Sequence, residues 1–137
     1  MEYKTRSIQI TVRPDDIVEV TNLENWNEPD TLETAQENIA MMETAMDGKR
    51  RAIMVHLPNT YTSKEILEYY YNANVGEIAR AFVANSFASK VVGNLYLKLA
   101  GKATKPTGVQ FKIFSQRTKA IKWLLERIKE DKGNKLA

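Results

Sequence analysis

The chain contains no cysteine and a single histidine, His56. Without cysteine there is no disulfide framework, thiolate nucleophile, thiolate-bound zinc or cysteine-ligated cluster, and one histidine excludes a multi-histidine metal site. Glycine and proline are sparse, at 6 and 4 of 137 residues, which excludes collagen-like and low-complexity classes. Long apolar runs are missing too. Ile53-Met54-Val55 and Trp123-Leu124-Leu125 fall far short of the ~20 residues that span a bilayer. Met1-Glu2-Tyr3-Lys4 does not have the charged-then-apolar order of a signal peptide, so a cytoplasmic location is the default expectation. Neither G-x-S-x-G nor G-x-x-x-x-G-K occurs, so no nucleophile elbow or phosphate loop announces an enzyme. No catalytic residue, metal ligand set or cofactor is expected.

What remains is an ordinary globular composition, 43% apolar and 27% charged, of a length that suits one domain over residues 1–132 with a frayed tail at 133–137. The order of elements carries the fold. Ser7–Val12 and Ile17–Val20 alternate around the turn cluster Pro14-Asp15-Asp16, which predicts a β-hairpin. Asp30 and Glu33 have capping-box spacing before Leu32, Ala35, Ile39, Met42 and Met46, a helix that stops at Gly48. Arg51–Leu57 reads as a buried strand ended by Pro58. Thr62 and Glu65 repeat the capping-box spacing and open a second helix. Arg80–Ala84 is a third apolar run. Asn85-Ser86 then caps a helix marked by Phe87, Val91, Val92, Leu95 and Leu99 and stopped at Gly101. Val109–Phe114 alternates, and a last helix carries Ala120, Ile121, Leu124, Leu125 and Ile128 behind Ser115. The result is an α/β fold of order β-β-α-β-α-β-α-β-α. The last three strands are expected to be parallel and the hairpin to add an antiparallel edge.

That order, with the phrases Leu32-Glu33-Thr34-Ala35, Thr62-Ser63-Lys64-Glu65, Val92-Gly93-Asn94-Leu95-Tyr96-Leu97-Lys98 and Ala120-Ile121-Lys122-Trp123-Leu124, resembles the small stand-alone bacterial STAS-like (SpoIIAA-like) domains across residues 5–130. The resemblance implies a mixed sheet with helices mainly on one face and a binding or regulatory role rather than catalysis. In the anti-sigma factor antagonists of that group a serine opening the second helix is phosphorylated. The matching hydroxyl here is Ser63 or Thr62.

Parallel strands feeding helices gather strand carboxyl ends and helix amino ends on one rim, where backbone N–H groups favour anions. The rim is expected to carry His56, Asn59, Thr62, Ser63, Asn85 and Ser86, as an anion, phospho-acceptor or partner site. Several of these residues serve equally as plain caps. Tyr69, Tyr70 and Tyr71, with Tyr61 just ahead, lie about 100° apart around the second helix, so they cannot all face one core. They make that helix a candidate partner surface or the wall of a small pocket. Charge is uneven. Residues 1–68 hold 7 basic and 13 acidic residues, residues 69–137 hold 13 and 4, and nine basic residues but no acidic one lie between Ile78 and Leu125. The leading reading is a regulatory module that docks a protein partner or itself, a symmetric homodimer being the commonest form of self-association. The alternatives are a carrier of an anionic or lipid-like small molecule and electrostatic attachment to nucleic acid or a membrane surface. No nucleic-acid module signature accompanies the basic run, so nucleic acid is not the expected partner.

Overall fold

A computed structural model describes residues 1–60, 62–102 and 109–136; at 97, 99–102 and 134–136 only the backbone is described. Tyr61 therefore lies outside the described residues. The elements are β1 (Glu2–Lys4), β2 (Ile8–Val12), β3 (Ile17–Asn22), α1 (Leu32–Met46), β4 (Ala52–His56), α2 (Lys64–Asn72), β5 (Ala79–Val83), α3 (Phe87–Lys102), β6 (Gln110–Phe114) and α4 (Arg117–Leu136). The α/β class and the nine expected elements are present. The short β1 is additional, and α4 runs through Gly133 to Leu136, past the end expected at 132.

The strands form one mixed sheet in the order β1-β2-β3-β4-β5-β6. β1, β2 and β3 pair antiparallel, and β3, β4, β5 and β6 pair parallel, so the hairpin's second strand opens the parallel part. Alternation along the strands separates two faces. On one, Ile8, Ile10, Val18, Val20 and Ile53 pack with Ile39, Met42 and Met46 of α1, while Phe82 joins Leu67 and Tyr71 of α2 and Val92 and Tyr96 of α3. On the other, Ile17, Ala52, Met54, Ala79, Ala81 and Val83 pack against Ala120, Leu124 and Ile128 of α4. Three helices thus cover one face and a single helix the other. Small residues at 52, 79 and 81 leave room for the one long helix to lie close.

Two helix starts, those of α1 and α2, sit one residue away from the expected capping pairs, whereas α3 starts at the expected Ser86. Thr31 caps α1, and its box partner is Thr34: Thr34 N–H donates to the Thr31 hydroxyl oxygen (3.2 Å) and Thr31 N–H to the Thr34 hydroxyl oxygen (2.8 Å). Threonine's branched hydroxyl replaces the expected glutamate, and Asp30 is turned to other work. Ser63 caps α2, its Oγ accepting from Ile66 N–H (3.3 Å), while Thr62 is buried. Ser86 and Ser89 form a reciprocal pair at the start of α3 (3.0 and 3.1 Å). α1 ends where Asp47 and Gly48 enter the left-handed region at φ 53° and 66°, which ends the helix ladder. α3 sits close to the sheet through Gly93, where a Cβ would lie 3.2 Å from Ile113 and 3.3 Å from Leu57 side chains.

Leu124 is fully buried against the α4 face, whereas the adjacent Leu125 is 41% exposed. Leu124→Ala is expected to cost about 2–5 kcal/mol in urea unfolding and Leu125→Ala about 1 kcal/mol or less. Equal losses would mean that α4 does not cover this face as described.

Candidate functional site

β5 is buried along its whole length, yet its second residue is an arginine. A guanidinium in that position must have its charge and donors met, because an unpaired buried charge costs several kcal/mol. Glu77, three residues earlier, supplies the charge: Arg80 donates to its Oε2 through Nε (2.8 Å) and through a second, closer contact from the terminal nitrogen. Another terminal nitrogen donates to the Tyr70 carbonyl at the end of α2 (3.2 Å), and the guanidinium lies 5.5 Å from the Phe111 ring centroid. The Tyr96 hydroxyl is buried beside this guanidinium, which attracts its oxygen, and among the described residues neither that hydroxyl nor Glu77 Oε1 has a hydrogen-bond partner of normal geometry. Burial pushes the Tyr96 hydroxyl up to about 12, against the pull of Arg80.

Arg80, Tyr96 and Tyr70 line one side of a cavity of about 70 Å³ between the sheet and α1, α2 and α3. Apolar side chains make most of the wall, among them Val20, Met42, Val55, Leu67, Phe82 and Val92. Asn22, Asp30 and Thr62 border it towards the carboxyl ends of β3 and β4. Tyr70 is held rigidly: its hydroxyl donates to Asp30 Oδ2 (3.1 Å) and accepts from Asn38 Nδ2 (3.0 Å). Burial first, and the Asp30 carboxylate second, raise the Tyr70 hydroxyl well above the phenol range. Asn38 in turn accepts from the Thr5 and Ser7 hydroxyls at 2.6 and 3.2 Å. Asp30 completes the chain by accepting from Thr34 (2.7 Å). One polar thread therefore ties the β1–β2 edge, α1 and α2 around the cavity.

A second cluster lies on the opposite face. Glu19 of β3 accepts from Arg117 at the start of α4 through two contacts of 2.8 Å, and its Oε2 is 2.6 Å from His56 Nε2 of β4. The Arg117 hydrogen bond chiefly, helped by His56, lowers the Glu19 carboxyl to about 2 despite partial burial.

Residues 11–128 match the family described as Domain of unknown function (DUF7793). The chain belongs to this family. No curated protein and no solved structure matches it.

The rim residues expected from the DUF7793 chain's sequence are only partly gathered. Ser86 donates to Asn59 Oδ1, so those two meet, with Asn85 exposed beside them. Ser63 is half-buried as a cap, and Thr62 turns inward to the cavity. The His56 side chain belongs to the Glu19 cluster, because alternation along β4 sends it to the α4 face. The tyrosines divide as their spacing demands. Tyr71 is buried, with its ring against Tyr96 and Phe111; Tyr70 lines the cavity; Tyr69 is half-buried against the α1 core. None of these three rings forms an open surface. Among the nine basic residues of the acid-free stretch, Arg80 is interior, not part of a solvated face.

Sequence reasoning missed Asn38, Glu77, Arg80, Tyr96 and the Glu19–Arg117 pair. The available signal for the Glu77–Arg80 pair was an acid three residues ahead of the arginine that opens an otherwise apolar run. Glu19 and Arg117 are 98 residues apart, and nothing local connects them.

Two expectations follow. Glu77→Gln leaves Arg80 buried against a neutral partner and is expected to lose about 3–5 kcal/mol in denaturant unfolding, whereas Glu77→Leu combined with Arg80→Met loses less than that single change. Glu19 carries a folded-state value below the ordinary 4.5, so its contribution is complete above about pH 5 and is lost as pH falls towards 2. Glu19→Gln should flatten that acid limb of the stability–pH curve; an unchanged limb would show that the cluster does not couple to folding.

Proposed function

We propose that this domain is a non-catalytic binding module whose outer α3 face docks an acidic, amphipathic segment of a protein partner. The observation that carries this reading is the exposure of Phe87 (86%), Val91 (45%) and Leu95 (37%), which recur every four residues and so form one apolar stripe along α3. Lys90, Asn94 and Lys98 are exposed beside it. The surrounding stretch from Ile78 to Leu125 contains no acid, so charge complementarity selects an acidic occupant. Two copies meeting stripe to stripe about a two-fold axis would bring Lys90 and Lys98 towards their own counterparts, which disfavours that form of self-association. No helix among the described residues is long and apolar enough to cross a membrane. The resemblance to STAS-like domains, with their partner-docking role, points the same way. Phosphorylation at Ser63, the less buried of the two expected hydroxyls, would add about −2 charge at the start of α2 beside α3 and compete with an acidic partner.

A photo-crosslinking residue at Phe87, in native cells, tests this when followed by mass spectrometry and synthesis of the captured segment as a peptide. The peptide is expected to be acidic, to bind more weakly as salt rises, and to lose tenfold or more in affinity for Phe87→Glu while keeping it for Phe87→Leu. Crosslinks to the chain's own copies would replace the partner by self-association. Binding to phosphatidylserine vesicles with no protein crosslink would overturn the reading in favour of a membrane surface.

A further inference from the structure

We infer that the free edge of β1 pairs with the same edge of a second copy of this chain, joining two sheets into one across a symmetry axis at Tyr3. Which backbone groups face that edge follows from the β1–β2 ladder. Val12 N–H donates to the Met1 carbonyl (2.9 Å) and Thr5 N–H to the Ile8 carbonyl (3.0 Å), with Tyr3 opposite Ile10 between them. Bonded pairs alternate along an antiparallel ladder, so Met1, Tyr3 and Thr5 turn their polar groups towards β2 while Glu2 and Lys4 turn theirs away. Among the described residues the outward N–H and C=O groups of Glu2 and Lys4 have no partner. An edge in this condition is a template for another strand.

Charge and hydrogen bonding select the same occupant and the same register. The Glu2 and Lys4 side chains are exposed on one face of the strand and make no ion pair among the described residues, while Tyr3 lies half-buried on the other face against the α1 core. In an antiparallel pair centred on Tyr3, each Glu2 stands directly opposite Lys4 of the second copy. Both crossings are bonded pairs, so every outward N–H donates to an outward carbonyl and both charges gain an opposite neighbour. A slip of two residues sets Glu2 against Glu2 or Lys4 against Lys4 and halves the hydrogen bonds within β1. A slip of one sets outward groups against inward ones and leaves no ladder.

Each face of the joined sheet continues the chemistry that it has within one copy. The row Thr11-Glu2 runs on into Lys4-Gln9 of the second copy, and the row Ile10-Tyr3 into Tyr3-Ile10. Both copies use the same edge, so the assembly closes at two. The docking face proposed on α3 lies over Phe82 of β5, towards the opposite end of the sheet, and the two surfaces are independent.

Sedimentation velocity of the full chain tests the pairing. A concentration-dependent equilibrium between monomer and dimer is expected. Glu2→Lys and Lys4→Glu, both at exposed positions, put like charges opposite each other and should each weaken the dimer about tenfold. Mixing the two variants should restore it, because lysine then faces glutamate at both crossings. Tyr3→Cys, in a chain that has no other cysteine, should form a disulfide-linked dimer under mild oxidation, and Val91→Cys on α3 should not. A monomer at every concentration, a dimer indifferent to both charge reversals, or no recovery on mixing would overturn the inference, as would a disulfide that forms faster at Val91 than at Tyr3.

Discussion

A charged side chain faces the interior from the middle of a parallel sheet, and much of the molecule is arranged around meeting its needs. Arg80 cannot leave the core, because its neighbours on both sides are buried strand residues. Its charge fixes Glu77 in the turn before β5, its free nitrogen fixes the last turn of α2, and its flat face fixes the Phe111 ring of β6. Elements that would otherwise meet only through non-directional apolar contact are thereby given defined positions. Tyr96 and Tyr71 of neighbouring helices then pack as rings at 5.7 Å, and the cavity is the space that this rigid polar frame leaves over.

A second polar frame does similar work at the other edge. Asn38 is 1% exposed and receives or gives hydrogen bonds to Ser7, Thr5 and Tyr70, joining the antiparallel edge to α1 and α2. Fully connected buried networks of this type specify one packing arrangement, since any slip leaves a polar group unpaired. Between the two frames Tyr70 takes part in both, through its hydroxyl on one side and its carbonyl on the other. That double engagement is why the tyrosine-rich helix is a wall of the interior while α3 is left to present apolar side chains outward.

Most of the architecture is legible in the sequence because it rests on local periodicity. The change from alternation in Ile8–Val12 to three- and four-residue steps after Leu32 marks a change of element, and the same change recurs down the chain. β1 escapes such reading because three residues, Glu2-Tyr3-Lys4, are too few to establish a period, and its pairing with Gln9–Thr11 is a tertiary fact. The caps shift by one residue because several adjacent hydroxyls and acids at 30–34 and 62–65 could each serve, and only packing chooses among them. The site was least legible. A lone arginine beginning an apolar run resembles the solvated end of a strand, and the partners of Glu19 come from residues 37 and 98 positions away. Spacing patterns report neighbours on one element, whereas the cavity and the Glu19 cluster are made by residues that meet only after the sheet has formed.

The sheet order follows chain order without a single exception, so each strand pairs with the strand made just before it. During synthesis every new strand can therefore dock on a finished edge, and the three helices over one face can be laid down one by one as their strands appear. The other face has no such gradual protection. Ile17, Ala52, Met54, Ala81 and Val83 belong to strands made before α4, which covers them and follows all six strands in the chain. The nascent domain thus carries a bare apolar sheet face until α4 emerges, and that interval is when it is most exposed to association with other chains.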